Sequence, residues 1–423
     1  MTHTTTVLVI GGGATGVGIV RDLALRGIDA TLVDRGGLAS GTSGRSHGLL
    51  HSGARYAEAD PNGAKECIEE NRILRDIAGE CIRDSSGLFV ELSEDDSAYF
   101  ESKLDACHDL GIPATELTGT EARARVADLS ETVQRGFAVP DGVVYPSRLV
   151  AATAGDAVEH GATIHTHAPV EGITTTAGDD RRIQSVAVGG TVDDEIRAEI
   201  VVNAAGAWAE GCAAMADVSV PMRPTKGVMV AVPYEGIEPV LNRCRPPADG
   251  DIIIPHDEQV ILGTTSVAVD DPDEYATDAA EIELMFDECA AMVPALKRRS
   301  AVRPYWGVRP LYALDEDDRG TVDEGTGDAR GISRDFTLLD HRKDGVENFL
   351  TIVGGKLTTH RQMAAAVADR IADRLGVTTA CRTAEQPLAA ADDPAAIDAL
   401  VDQFDARSPA DEDVLTHPEH IET

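Results

Sequence analysis

Short all-apolar runs alternate with stretches of helical spacing along the first part of the chain. Val7-Leu-Val-Ile10 is apolar at every position, as a strand buried on both faces of a parallel sheet requires. A helical pattern (Ile19, Val20, Leu23, Ala24) follows it, and then a second short strand, Ala30 to Val33. Helical spacing returns over residues 62–79 and 97–110, the latter closing at Gly111 with the chemistry of a C-cap. The pattern predicts strands at 87–92, 162–167, 183–188 and 195–202, and helices at 121–126 and 147–160. Further strands are expected at 227–232 and in a hairpin-like pair, 251–255 with 259–263, before a helix near 280–293. Phe349 to Val353, apolar but for Thr351, meets Gly354-Gly355 and a long helix carrying Met363, Ala366, Val367, Ile371 and Leu375.

Strand–helix alternation predicts an α/β fold, and the two blocks that break it predict an inserted domain. Segments 1–86, 141–218 and 300–376 are read as one discontinuous nucleotide-binding domain. Segments 87–140 and 219–299 are read as a mostly antiparallel sheet capping it. Residues 377–423, rich in Asp, Ala and Pro with one helix at 395–405, are read as a solvated, weakly ordered acidic tail.

Composition narrows the partners. The 423 residues carry 73 acidic against 37 basic side chains, a net charge of −36, which argues against non-specific nucleic-acid binding. The acids spread along the whole chain, so they read as a solvation strategy of a salt-adapted, halophilic protein. The seven cysteines form no C-x-x-C pair and fit reduced intracellular thiols. With no apolar run of membrane-spanning length and no signal peptide, the expected location is the cytoplasm. His165 and His167 share a strand face, but two imidazoles without a third ligand read as surface, and no metal is expected.

The most informative stretch lies between the first strand and helix. Gly11-x-Gly13-x-x-Gly16, with Ala14 and Thr15 inside it, sits where a strand turns into a helix. These glycines permit the tight turn, the approach of backbone N–H groups to a pyrophosphate, and close helix packing. The anion then meets the helix N-terminus. Asp34, followed by Arg35, ends the second strand where this half-fold bonds a ribose. FAD and NAD share this half-fold. The next loop favours FAD: residues 39–46, with Gly41, Thr42, Ser43, Arg45 and Ser46, are glycine- and hydroxyl-rich, suited to running along an extended cofactor. Gly48 and Leu49 continue the cofactor side, Ala205, Gly206 and Trp208 form a second strand-to-glycine turn, and Gly307, Gly355, Lys356, Leu357 and Thr358 complete the predicted cofactor set.

These segments resemble the flavin-dependent glycerol-3-phosphate dehydrogenases, and more closely the A-type subunit of the anaerobic enzyme. The resemblance runs from Val7 to about Gly376 through GGGATGVGIVRDLALRG (11–27), GTSGRSHGLLHSGARYA (41–57), VVNAAGAW (201–208), KGVMVAV (226–232), GVRPL (307–311), SRDF (333–336) and GGKLTT (354–359). It implies a FAD-binding domain of the glutathione-reductase/D-amino-acid-oxidase type and oxidation of sn-glycerol 3-phosphate to dihydroxyacetone phosphate. It further implies that electrons pass to a quinone pool through membrane-anchor and iron–sulfur partner subunits, which would hold the chain peripherally on the inner face of the membrane; homodimerisation stays open. By the same resemblance Arg55, Tyr56, Arg309, Arg334 and Lys356 line the substrate site, with Arg309 and His51 catalytic.

A phosphorylated substrate suits this list, since arginine forks grip phosphate while lysine serves as a point charge. His51 is the candidate base, because an imidazole accepts a proton near neutral pH. A structural hydrogen bond from His51, with the proton lost to water beside an arginine, is the competing reading. Two departures stand out. Met229 replaces the histidine of single-subunit members, and Trp306 stands where a small residue is usual. The resemblance also leads to the expectation of a cysteine-rich C-terminal iron–sulfur module, and residues 377–423 carry no such cysteine cluster, as either a shortened chain or a natural short form would show. The alternatives are a 2-hydroxy-acid or amino-acid oxidoreductase of the same fold, and a non-catalytic flavin relay subunit.

Overall fold

The computed structural model describes residues 3–178, 180–298, 303–313 and 335–411. β1 (His3–Ile10) leads into α1 (Ala14–Leu25) and then β2 (Ala30–Val33). Both faces of β1 are buried, which accounts for its unbroken apolar run. Val7 and Val9 face a core shared with α1 and the helices Pro146–Glu159 and His360–Leu375. Leu8 and Ile10 face the opposite core, packed by Ala209, Cys212 and Ala213.

Among the described residues eight strands make this first sheet. Its parallel centre runs Phe349–Gly354, Asp194–Asn203, β1, β2 and Thr163–His165. Antiparallel strands finish it: Phe336–Asp340 pairs with Phe349–Gly354, and the hairpin Val170–Thr175 with Ile183–Val188 leans on the first half of Asp194–Asn203. All the parallel strands end on one edge, so Gly11, Asp34, Ala204 and Gly355 emerge there together. A sheet of this kind receives ligands at that edge.

The second sheet has nine strands among the described residues. Its pairings are antiparallel except for Val240–Arg243 beside Gly87–Leu92. The predicted hairpin forms as Ile252–His256 and Gln259–Gly263. Helix Ala279–Met292 covers this sheet with Met285, Cys289 and Met292. The strand Arg303–Arg309, which the sequence groups with the nucleotide-binding segments, hydrogen-bonds instead to Thr225–Pro233 in the second sheet. Its last residue thereby reaches the edge between the two sheets.

The expectation of a weakly ordered tail fails for residues 377–411. Helix Pro394–Gln403 buries Ile397 and Val401, and Val401, Phe404 and Ala406 join the core beneath α1. Arg148 and Asp398, both buried, form a two-pronged ion pair at 2.9 and 3.1 Å. Acidic composition misled because most of the acids lie on the outer face, the two buried ones, Asp398 and Asp411, are paired with Arg148 and Ser147, and a sparse apolar stripe does the packing. Residues 412–423 lie outside the described residues. The cysteines are free thiols, all buried but Cys381, which is half-buried. His165 closes its strand, whereas His167 lies in left-handed backbone and pairs with Asp405 at 3.2 Å.

Candidate active site

A cavity of about 660 Å³ opens where the parallel strands end. Part of its wall is glycine-built. Gly11 has φ +112°, and a Cβ there would sit 2.5 Å from the Ala204 carbonyl oxygen. At Gly16 a Cβ would fall 1.8 Å from the Gly11 carbonyl oxygen, so this glycine lets α1 press on the turn. The N-terminus of α1 has no side-chain cap and no acidic residue in its first turn. Its Ala14 N–H donates to Ser43 Oγ at 2.9 Å, which ties the hydroxyl-rich loop to the turn. Asp34 accepts N–H bonds from Gly12 (2.6 Å) and Gly36 (2.8 Å). Burial pushes its carboxyl above the usual range, against the pull of those two amides.

At the rim Arg35 grips Asp273 through two bonds of 2.7 and 3.0 Å, and its guanidinium lies 4.4 Å over the Trp208 ring. Asp270, Asp271 and Asp273 of the second sheet's loop border the cavity beside Trp208. Sequence reasoning missed this acidic border, because an exposed acid run in so acidic a chain carries no distinguishing signal.

The candidate reactive side chains, His51, Tyr56, Arg309 and Lys356, line the same cavity. Tyr56 Oη lies 3.4 Å from His51 Nε2, and Lys356 Nζ sits 4.7 Å from the Tyr56 ring centre. Lys356 is also 3.6 Å from Asp60, the N-cap of helix Pro61–Ile77. The His51 backbone is fixed on both sides: its N–H donates to Thr358 Oγ1 at 3.1 Å, and its carbonyl accepts from Asn71 Nδ2 at 3.2 Å. Next to it, the Ser52 N–H donates to buried Asp141 at 2.7 Å. Arg309 Nη2 donates to Thr264 Oγ1 (3.2 Å) and to the Thr265 carbonyl (3.1 Å).

A sequence profile described as FAD dependent oxidoreductase matches residues 6–370. The chain belongs to the FAD dependent oxidoreductase family. It is 46% identical to the A1 subunit of the anaerobic glycerol-3-phosphate dehydrogenase of Haloferax volcanii, over 97% of this chain and 70% of that one. Identity to the A-type subunit of the anaerobic glycerol-3-phosphate dehydrogenase of Escherichia coli is 41%, over 92% and 71%. The fold is that of glycine oxidase from Geobacillus kaustophilus (TM-score 0.69, 22% identity, 92% of this chain and 99% of that one). It is also that of the FAD-complexed glycerol-3-phosphate dehydrogenase from Bacillus halodurans (TM-score 0.68, 23% identity, 92% and 68%).

In this FAD-dependent oxidoreductase the donor set fits the cofactor. The uncapped α1 N-terminus suits a diphosphate, Asp34 suits a ribose, and Thr42 and Ser43 line the same cavity. Of the other residues expected to hold it, Gly13, Ala14, Thr15, Arg35, Gly41, Ser46, Leu49, Ala205, Gly206, Trp208, Gly355 and Leu357 also line the cavity. Several expected residues stand behind its wall. Gly16 and Gly48 make close backbone approaches, Thr358 holds His51, and Gly307 packs under the Arg45 carbonyl. Arg45 is exposed and bonds the Ser40 carbonyl at 3.3 Å.

Arg55 departs from its expected place. It does not line the cavity but faces buried Asp251 at 3.5 Å, which also receives Arg245 at 2.8 Å. Arg334 lies outside the described residues.

Proposed function

We propose that the chain oxidises sn-glycerol 3-phosphate to dihydroxyacetone phosphate, and that its electrons pass to a quinone pool through membrane-anchor and iron–sulfur partner subunits. The observation that carries this reading is one cavity lined both by the glycine turn and by Lys356, Arg309, His51 and Tyr56. The names of the 46% and 41% identical relatives support the substrate, and their description as subunits supports the partners.

The substrate phosphate carries nearly two negative charges, and Lys356 with Arg309 offers a point charge and a planar fork. C2 must lose a hydride and its hydroxyl a proton, leaving a carbonyl. When bound, FAD supplies the two-electron acceptor for that hydride. His51 Nε2 takes the C2 hydroxyl proton, and Tyr56 Oη at 3.4 Å orients the imidazole. The bonds that pin the His51 backbone hold this base against the rest of the site, which limits the reorganisation needed as charge moves.

Anaerobic addition of glycerol 3-phosphate to the purified flavoprotein is expected to bleach the flavin band, while lactate, 2-hydroxyglutarate and glycine leave it unchanged. Bleaching by one of the latter three but not by glycerol 3-phosphate would replace this reading with a hydroxy-acid or amino-acid oxidoreductase.

A further inference from the structure

Arg309 is held by a chain of contacts that begins at Lys226 and Glu281, neither of which lines the cavity. Lys226, on strand Thr225–Pro233, donates from Nζ to Glu281 Oε2 at 2.6 Å and to the Ala276 carbonyl at 2.6 Å. Both side chains of this ion pair are nearly covered, at 8% and 11% exposure, so the pair is shielded from the bulk solvent that weakens surface pairs. Trp306 Nε1 donates to the same carboxylate oxygen at 3.2 Å, while Glu281 Oε1 accepts the Thr265 hydroxyl at 2.8 Å. Thr265 Oγ1 in turn accepts the Val228 N–H at 3.0 Å, and the Thr265 carbonyl receives Arg309 Nη2 at 3.1 Å.

A second observation shows how closely this cluster is packed. A Cβ on Gly227 would lie 2.4 Å from Thr264 Oγ1, 2.6 Å from the Thr265 carbonyl oxygen and 2.8 Å from Arg309 Nη2. Strand Thr225–Pro233 thus leaves room for the guanidinium to reach Thr264 and Thr265 only because residue 227 has no side chain.

We propose that Glu281 is a positioning residue that fixes Thr265 and, through its carbonyl and the neighbouring Thr264 hydroxyl, aims Arg309 at the substrate phosphate. Lys226 is the counter-ion that keeps a carboxylate at this place, and Trp306 braces it from the third side. The usual small residue at 306 could not donate that bond, so the departure at this position is part of the device. This inference rests on the substrate reading above.

Kinetics and equilibrium binding test it. The variant pair Lys226→Met with Glu281→Leu removes both buried charges together, so neither is left uncompensated. It is expected to raise KM for glycerol 3-phosphate, and the dissociation constant of inorganic phosphate read from the flavin absorbance, by about tenfold or more. Flavin content and kcat should stay within about twofold of the parent. Lys226→Met with Glu281→Gln restores an acceptor for the Thr265 hydroxyl and should recover most of the phosphate binding. Should the Leu/Met protein fail to fold, Thr265→Val, which exchanges the hydroxyl for a methyl and so breaks its bonds to Glu281 and the Val228 N–H, should show the same KM shift. Unchanged phosphate binding in the flavin-loaded Leu/Met protein, or in Thr265→Val where the Leu/Met protein does not fold, overturns the proposal. A parent protein that glycerol 3-phosphate does not reduce counts against the substrate reading instead, and the phosphate titration still reports on Arg309.

Discussion

At the scale of single residues, the site combines groups that are rigidly held with groups whose role is set by what surrounds them. His51 is the clearest case, with its backbone tied to Thr358 and Asn71 and its ring edge near Tyr56. His51→Asn keeps those backbone bonds and a polar side chain of similar reach. It is expected to retain flavin but lose turnover by about a hundredfold or more, the contribution of a positioned base. Anaerobic flavin reduction followed by stopped flow checks this, and near-normal reduction would leave His51 a structural role. The glycine turn, Asp34 and the Lys356 segment were legible in the sequence because their chemistry is local, each lying within a few residues of a strand end. Arg55 was not. Its carboxylate partner Asp251 lies 196 residues away, and no spacing within the HSGARY segment reveals which way the guanidinium turns. The Glu281 contact with Thr265 was equally hidden, since an acid in the first turn of a helix ordinarily signifies only the helix dipole.

Among the elements, the longer helices and the strands Gly87–Leu92, Ile183–Val188, Asp194–Asn203, Thr225–Pro233, Ile252–His256 and Gln259–Gly263 followed from periodicity. Strands Val133–Val139, Val170–Thr175, Val240–Arg243, Arg303–Arg309 and Phe336–Asp340 did not, and neither did sheet membership. Strand Arg303–Arg309 carries the same apolar character whichever sheet it joins, and only its register with Thr225–Pro233 decides the matter. The segment after helix Pro394–Gln403 was the larger surprise. The Leu38 N–H donates to the Phe404 carbonyl at 3.1 Å, Ser408 Oγ bonds the Gly44 carbonyl, and Asp411 accepts both the N–H and the hydroxyl of Ser147 at 2.8 Å. Burial pushes the Asp411 carboxyl up to about 6. An acid whose folded value lies above its unfolded one binds more protons when folded over the interval between them. This group therefore makes the protein lose stability as pH rises from about 4 to about 6, with a slope of about 1.4 kcal/mol per pH unit at most. Asp411→Asn should flatten that part of the pH–stability curve, measured by chemical denaturation from pH 4 to 7. An unchanged slope would show that Asp411 does not titrate there.

The whole molecule is dominated by its charge of −36. Added salt acts in two directions. It weakens exposed pairs such as Arg35–Asp273, each worth about 0–1 kcal/mol, and it screens repulsion among many carboxylates. With 73 acids against 37 bases the repulsion term is the larger. Raising KCl from about 0.1 to 2 M should therefore lift Tm by on the order of 5–10 °C, observable by differential scanning calorimetry. A falling Tm would mean that the ion pairs outweigh the repulsion. The contact between Ser408 and Gly44 spans 364 residues. As the ribosome makes the chain in order, the loop that faces the nucleotide cavity emerges long before the residues that fasten it. Its bonds to the glycine turn form within the first 43 residues, but its outer fastening waits for the distant segment, so a nascent chain stalled before Phe404 would hold the loop by the turn alone.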